Sequence, residues 1–232
     1  MPQENLVNFF KYYADKPQQA EAVQMLQQSM PDSLLKADSA WIVKYREEPP
    51  KPDVESPLPV KYFWQQDNGP QGWRQCQTSS IAMCLNYLGV AGINDDVDYL
   101  RVVNQFGDTT LQSSHSQALN HLGVRNRFRT DGSKETLIER VQAGFPTPIG
   151  VLHHGPVNNC SGGGHYLTVV GISECGNYTI CHDPYGELDL VMGTWAKTGE
   201  QDGKFVHYSF KNLMPRWDLN NNRVDGWYWE IG

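Results

Sequence analysis

Residues 62–89 read YFWQQDNGPQGWRQCQTSSIAMCLNYLG, and this stretch decides the fold of the chain. A glutamine-rich and turn-rich approach ends at Cys76. Apolar side chains then recur at helical spacing up to the stop signal Gly89, at Ile81, Cys84, Leu85 and Leu88. The pattern predicts a helix with Cys76 at its N-terminus, where free backbone N–H groups and the positive end of the macrodipole favour an anionic sulfur. Cys76 is therefore the candidate nucleophile.

A second stretch, NNCSGGGHYLTVVGISECGNYTICHDPYGE at residues 158–187, predicts a β-hairpin. Two segments rich in β-branched and aromatic residues flank the short turn SECGN. Folding the strands about position 174 places His165 opposite Asp183, close enough for the carboxylate to fix the imidazole tautomer. His165 is the candidate base and Asp183 the residue that orients it.

Composition excludes several classes of function. The chain has 232 residues, 39% of them hydrophobic, so it can bury a sizeable core. A net charge of -7 argues against nucleic-acid binding, which needs clusters of lysine and arginine. No apolar run approaches the roughly 20 residues needed to cross a bilayer, and the N-terminus lacks the features of a secretory signal. We expect no stable membrane insertion and a monomer.

Cysteine usage favours free thiols over a disulfide framework. The five cysteines show no framework spacing, and Cys84 and Cys181 fall where small core residues are expected. Histidine and cysteine also cluster as potential zinc donors at His153, His154, Cys160 and His165. Their spacing matches no established zinc motif, and a ligating His165 could not act as a base. We therefore expect no metal and no cofactor.

The chain divides into three parts. Residues 1–46 predict a helical appendage, a possible unit for docking or for cell-wall targeting. Residues 47–59 hold five prolines and read as a linker, and residues 60–232 form the main domain. Four helical patterns come first in that domain and four strand patterns follow, which predicts an α+β architecture. The aromatic residues near the C-terminus could stack on sugar rings, but they favour core packing: Trp217, Trp227, Tyr228 and Trp229.

The order glutamine, cysteine, histidine, aspartate in a helix-first, sheet-second domain resembles the papain-like cysteine peptidases. The strings YFWQQDN, CQTSSIAM, GHYLTVVGI and HDPYGE are similar to the branch related to double-glycine leader peptidases, in its stand-alone forms from bacteriophages and bacteria. The resemblance spans about residues 58–230. It implies a papain-like fold in which Cys76 attacks a peptide carbonyl, His165 shuttles the proton and Asp183 orients it.

The resemblance also implies a glutamine in the oxyanion hole. Gln65 matches it, while Gln66 and Gln71 remain alternatives because eleven positions separate Gln65 from Cys76. Gln77 stands where a glycine commonly follows the nucleophile. A side-chain amide and the Cys76 N–H would be the two donors in each case.

The string FFKYYADKPQQAEAVQMLQQSMPDSLL resembles a helical unit that accompanies cell-wall hydrolases of cyanophage type. It implies a phage endolysin, a cysteine endopeptidase that cuts peptidoglycan or its stem peptides and stays in the host cytoplasm until a pore protein releases it. Three alternatives remain: an N-acetylmuramoyl-L-alanine amidase with the same triad, a protease acting on a protein or leader peptide, and a non-catalytic wall-binding or virion protein.

Overall fold

The structure is a computed structural model that describes residues 57–217 and 226–232. The appendage predicted for residues 1–46 and most of the predicted linker therefore lie outside the described residues. At the end of that linker, the Leu58 N–H donates a hydrogen bond of 2.8 Å to the carbonyl of Val170. None of the helices in the described ranges is long and apolar enough to cross a membrane.

The predicted helices are present. They are α1 (Cys76–Tyr87), α2 (Asp96–Val103), α3 (Gln112–His121) and α4 (Lys134–Gln142). Residues at their N-termini explain where two of them begin: Asp95 caps α2 by accepting from the Asp98 N–H, and Ser133 and Thr136 form a capping box on α4. A fifth helix, α5 (Phe210–Trp217), was not predicted and follows the last of the predicted strands.

An antiparallel six-stranded sheet forms the centre of the domain, in the order β1-β8-β2-β3-β4-β7. Its strands are β1 (Asn126–Arg129), β2 (Thr147–His154), β3 (Ser161–Ile172), β4 (Tyr178–His182), β7 (Val206–Ser209) and β8 (Trp227–Ile231). A separate two-stranded sheet pairs β5 (Glu187–Asp189) with β6 (Thr194–Lys197). The predicted α+β class is confirmed, although β1 precedes α4, so the two halves are not strictly separated.

Both faces of the sheet are covered. Successive side chains of β3 point to opposite faces, so Tyr166 joins a core cluster with α1, α2 and α3, whereas Leu167 joins a second cluster with α4 and α5. Helix α1 is buried along most of its length, and Thr168 of β3 donates a 3.0 Å hydrogen bond to the Ser80 carbonyl. The core thereby fixes the helix that begins at Cys76 against the strand that carries His165.

The C-terminal aromatic residues belong to this core, as predicted. Trp217 and Trp229 are fully buried, and Tyr228 is almost so. Trp227 is partly buried and meets Phe128 edge to face, with ring centroids 5.7 Å apart. Trp217, Tyr228 and Trp229 have little or no surface left for a ligand. The sugar-stacking alternative therefore does not apply to these three side chains.

The predicted hairpin is present, but the register predicted for its two strands was wrong. Strand β3 pairs Thr168 with His182, which is two residues further along β4 than a fold about position 174 would give. The turn between the strands is longer than expected, and β3 carries a bulge between positions 169 and 171. An even shift keeps side chains on the same face. His165 and Asp183 therefore still meet, although Asp183 lies just beyond the end of β4 and not directly opposite His165.

Candidate active site

Cys76 is the first residue of α1 and is half-buried. A short 3-10 turn, Gly72–Arg74, leads into it, and the chain is tight there because a Cβ on Gly72 would lie 2.5 Å from the carbonyl oxygen of Gln65. The first backbone N–H groups of a helix have no intrahelical acceptor. The thiol therefore stands at a helix end whose free donors and dipole suit a negative charge.

His165 and Asp183 form a buried hydrogen-bonded pair. His165 Nε2 lies 2.7 Å from Asp183 Oδ1, and the exposed fractions of the two side chains are 5% and 0%. The Tyr185 N–H donates to the same carboxylate oxygen at 3.1 Å. The carboxylate is thus aimed at the imidazole by its own local turn, in addition to its position at the end of β4.

The second oxygen of Asp183 is held by a distant side chain. The Tyr208 hydroxyl donates to Asp183 Oδ2 at 3.0 Å, and it accepts a hydrogen bond of 2.7 Å from the Leu188 N–H. Because Tyr208 is almost fully buried, no solvent competes for either bond. A continuous chain of hydrogen bonds therefore runs from Leu188 through Tyr208 and Asp183 to His165.

Electrostatics favour the protonated form of His165. Burial of the ring lowers its pKa, but the charge of Asp183, the hydrogen bond to Asp183, and the hydrogen bond and charge of Cys76 outweigh burial and raise the pKa to about 10. Since Nε2 is occupied by Asp183, Nδ1 is the nitrogen left to face the thiol. The structure thus brings Cys76, His165 and Asp183 together in the predicted order, as a site suited to a thiolate–imidazolium pair.

Aromatic rings surround the imidazole. Trp195 meets His165 edge to face, with ring centroids 4.9 Å apart. Tyr185 packs on Trp195, and the centroids of these two rings are 4.5 Å apart. The ring centroids of His153 and His165 are 5.9 Å apart. Burial, together with the charges of His165 and His154, lowers the pKa of His153 to about 4. His153 is therefore neutral at pH 7 and does not compete for the negative charge of the site.

Gln65 is the fully buried member of the three candidate glutamines. Its Nε2 donates to the Gly72 carbonyl at 2.8 Å, and its backbone N–H donates to the Pro184 carbonyl at 2.9 Å. One hydrogen of the side-chain amide remains for another acceptor. Gln66 is half-buried and Gln71 is exposed. The assignment of the oxyanion donor to Gln65 stays a prediction.

The remaining thiols differ from Cys76 in their surroundings. Cys84 and Cys181 are fully buried, as predicted for core residues, and burial raises the pKa of both thiols. Burial also raises the pKa of the half-buried Cys160, whereas Cys175 is exposed in the hairpin turn. All five cysteines are free. Within residues 57–217 and 226–232, no group of three or more histidine, cysteine or acidic side chains is placed to hold a metal ion.

Sequence reasoning missed Tyr208 and Trp195. Tyr208 lies on β7, 25 positions after Asp183, and Trp195 lies on β6, 30 positions after His165. No local motif marks either residue, because only strand pairing and the fold of the small β5–β6 sheet bring them to the site. The fourth predicted strand segment, GKFVHYSF at residues 203–210, contains Tyr208, but nothing in it distinguishes this tyrosine from an ordinary core residue.

Solved structures of similar fold include a protein described as a C39-like peptidase from Bacillus anthracis, with 16% identity and a TM-score of 0.50 over 78% of this chain and 98% of that one. The peptidase domain of Streptococcus ComA, a bifunctional ABC transporter involved in a quorum-sensing pathway, matches with 15% identity and a TM-score of 0.48 over 75% and 98% of the two chains. No curated protein matches the sequence. The model of the Peptidase_C39 like family matches residues 57–203. The chain therefore belongs to that family and is a cysteine peptidase of papain-like fold.

Proposed function

We propose that the protein is an endopeptidase that hydrolyses peptide bonds in bacterial peptidoglycan through an acyl-enzyme intermediate. Cys76 is the nucleophile, His165 the general acid and base, and Asp183 the residue that orients the imidazole. The single observation that supports these roles most strongly is the buried 2.7 Å contact between His165 and Asp183, together with the interaction of Cys76 with the same imidazole.

The reaction follows from this arrangement. The Cys76 thiolate adds to the scissile carbonyl carbon, and the negative oxygen is held by the Cys76 N–H and by the amide of Gln65. The C–N bond then breaks as His165 Nδ1 gives its proton to the leaving amine, which produces a thioester. Water attacks the thioester and gives a proton to His165. The C–S bond breaks, the acid product leaves, and the thiolate–imidazolium pair is restored.

An exposed tryptophan supports a cell-wall substrate. Among the described residues, the large hydrophobic side chains that are exposed are Trp73, at 63%, and Leu111, at 50%. Trp73 lies three residues before Cys76, which limits their separation to about 11 Å along the chain. Arg74 lies over the Trp73 ring, 5.9 Å from its centroid, and the indole is otherwise open to a ligand. Its flat face suits the apolar face of a sugar ring, and peptidoglycan carries sugars next to its stem peptides.

The biological role proposed with this activity is that of a phage endolysin. Its support is the resemblance of the N-terminal sequence to the helical unit of cyanophage-type cell-wall hydrolases. The enzyme would remain in the host cytoplasm and reach the wall after a separate pore protein opens the membrane.

Digestion of purified diaminopimelate-type peptidoglycan tests the proposal. Wild type, Cys76→Ala and Cys175→Ser are compared, and the released fragments are identified by mass spectrometry. We expect wild type and Cys175→Ser to release fragments cut within the stem peptide, and Cys76→Ala to release none. Fragments cut between muramic acid and L-alanine would identify an amidase instead. Equal release by wild type and Cys76→Ala, or no release by wild type, would contradict the proposal.

A further inference from the structure

A strap of chain, residues 58–65, leads to Gln65 and lies against the end of β4. Three hydrogen bonds, each 2.9 Å long, join the strap to three consecutive residues there: Val60 to His182, Tyr62 to Asp183 and Gln65 to Pro184. The strap that ends at the predicted oxyanion donor is thus bonded to the segment that carries the aspartate of the site.

His182 makes the first of these bonds in a defined tautomer. It is the last residue of β4, next to Asp183, and it is fully buried. Its Nδ1 accepts a 3.1 Å hydrogen bond from the Phe205 N–H, so the ring proton is on Nε2, which donates to the Val60 carbonyl. Burial lowers the pKa of His182 to about 4, so the ring is neutral at pH 7 and keeps both bonds.

The chain around His182 is arranged to hold this imidazole in place. Phe205 has a φ of 52°, in the left-handed region that residues with a side chain rarely adopt, and in this conformation its N–H meets His182 Nδ1. The rings of Phe205 and His182 pack with centroids 4.4 Å apart, and Tyr62 of the strap meets the imidazole edge to face at 5.3 Å between centroids. Unusual backbone conformations of this kind cluster at functional sites.

Asp183 does not depend on His182 for its position. Three other hydrogen bonds hold it: two to its carboxylate, from Tyr185 and Tyr208, and one from its own N–H to the Gly203 carbonyl. Loss of the bond between His182 and Val60 would therefore loosen the strap, and Gln65 with it, while Asp183 stays in place beside His165.

We propose that His182 is a positioning residue for the oxyanion hole. Its bond to Val60, with the bond that Tyr62 makes next to it, holds the strap so that the amide of Gln65 reaches the oxygen of the scissile carbonyl. The inference rests on the role of Gln65 in the proposed function. It assigns to His182 an effect on the transition state that leaves the reactivity of the thiolate unchanged.

Two reactions of Cys76 separate the oxyanion hole from thiol activation, and neither requires peptidoglycan. With p-nitrophenyl acetate, the thiolate adds to the carbonyl carbon, an oxyanion forms, and the ester C–O bond breaks to give an acetyl thioester and p-nitrophenolate. With iodoacetamide, the thiolate displaces iodide from a CH₂ carbon and no oxyanion forms. Both rates are measured at pH 7 in a Cys175→Ser background, after subtraction of the rates found when Cys76→Ala is added.

The variants of His182 are matched to its two nitrogens. His182→Asn keeps an acceptor near the position of Nδ1 but lacks the donor to Val60, and it should slow acylation about tenfold and leave alkylation within about twofold. His182→Gln places an N–H near the position of Nε2 and should restore acylation to within about threefold of the parent protein. Gln65→Ala should slow acylation about a hundredfold. Adding His182→Asn to it should cost less than about twofold more, because the strap then carries no donor.

Tyr62→Phe removes the neighbouring bond of the strap and tests the same proposal should His182→Asn fail to fold. Acylation should slow about threefold, with alkylation within about twofold.

His115→Asn is the matched control. His115 is also fully buried, burial lowers its pKa to about 4, and its Nε2 lies 2.8 Å from the Thr109 carbonyl, but it has no contact with the strap. Any effect on acylation and alkylation should be the same for the two reactions.

The proposal is overturned if His182→Asn or Tyr62→Phe changes the two rates by equal factors, or if the losses in Gln65→Ala and His182→Asn multiply. If Gln65→Ala acylates at the parent rate, Gln65 is not the oxyanion donor and the inference fails with that assignment, while digestion of peptidoglycan still tests the proposed substrate. Absence of Cys76 acylation in the parent protein would contradict the proposed nucleophile as well.

Discussion

The hydroxyl of Tyr208 donates a 3.0 Å hydrogen bond to Asp183 Oδ2, the oxygen that does not face His165. Both side chains are almost or fully buried, so the bond is not exchanged for water. Asp183 consequently cannot rotate away from the imidazole without leaving the buried proton of the Tyr208 hydroxyl without an acceptor. We therefore predict that Tyr208 is a positioning residue that acts on His165 through Asp183.

Replacing Tyr208 with Phe should lower kcat by about tenfold, because the carboxylate loses one of the groups that aim it at His165. The same change should lower the free energy of unfolding by about 1–3 kcal/mol, since Asp183 Oδ2 and the Leu188 N–H lose a buried partner. Steady-state kinetics and urea denaturation measure the two effects separately.

Tyr99→Phe is the matched control. Its hydroxyl is also buried and lies 3.1 Å from His115 Nδ1, a contact outside the Cys76–His165–Asp183 site. We expect a comparable loss of stability and an unchanged kcat. If both variants lose kcat in proportion to their loss of stability, the role of Tyr208 is structural and the positioning account is wrong.

Much of the fold could be predicted because its signals are local. The helical spacing after Cys76, the glycine stops and the β-branched segments around the turn SECGN predicted α1 and the β3–β4 hairpin. The contact between His165 and Asp183 was predicted for the same reason, since a hairpin joins residues that are near in sequence. The predicted register was wrong because the turn is longer than a fold about position 174 allows. Ile172 pairs with Thr179 and not with Gly176, and the bulge in β3 reduces this three-residue error to two residues at Thr168.

Contacts between distant segments could not be predicted. Strand β1 pairs with β8 at the opposite end of the domain, so its four residues carry no recognisable pattern of their own. Tyr208 and Trp195 reach the site only after β7 pairs with β4 and the β5–β6 sheet has formed.

The pH dependence of activity should reflect His165. The pKa of its imidazole is raised to about 10, chiefly because the charge of Asp183 outweighs burial. The imidazolium form should therefore persist through neutral pH, and kcat/KM should fall only as the pH rises through the raised value. In Asp183→Asn the main cause of the increase is gone. The alkaline fall should then move to lower pH by at least about one unit.

The same pair affects stability. A histidine whose folded pKa exceeds the unfolded value of about 6.5 stabilises the fold fully below that value, and the contribution is lost as the pH rises through the folded pKa. The free energy of unfolding of wild type should therefore decrease between about pH 6.5 and 10 as this contribution is lost. Over the same pH range, the free energy of unfolding of Asp183→Asn should decrease less. If kcat/KM falls at the same alkaline pH in wild type and in Asp183→Asn, the proposed effect of Asp183 on the pKa of His165 is contradicted.

Gln65 should matter in the transition state. Removing an oxyanion donor costs about a hundredfold in kcat, so Gln65→Ala should lower kcat by that amount with little change in KM. Gln66→Ala is the control, since that side chain is half-buried and adjacent in sequence. Its kcat should stay within about twofold of wild type. A large loss in Gln66→Ala with little loss in Gln65→Ala would reassign the oxyanion donor.

The proposed mechanism requires His165 to activate the thiol of Cys76, and alkylation by iodoacetamide tests this activation without any substrate. The measurement is the rate of Cys76 modification at pH 7, followed by peptide mass spectrometry in a Cys175→Ser background that removes the exposed thiol. We expect Cys76 to react before Cys160, Cys84 and Cys181, and to react at least about tenfold more slowly when His165→Ala is added. If His165→Ala leaves the rate of Cys76 alkylation unchanged, His165 does not activate the thiol.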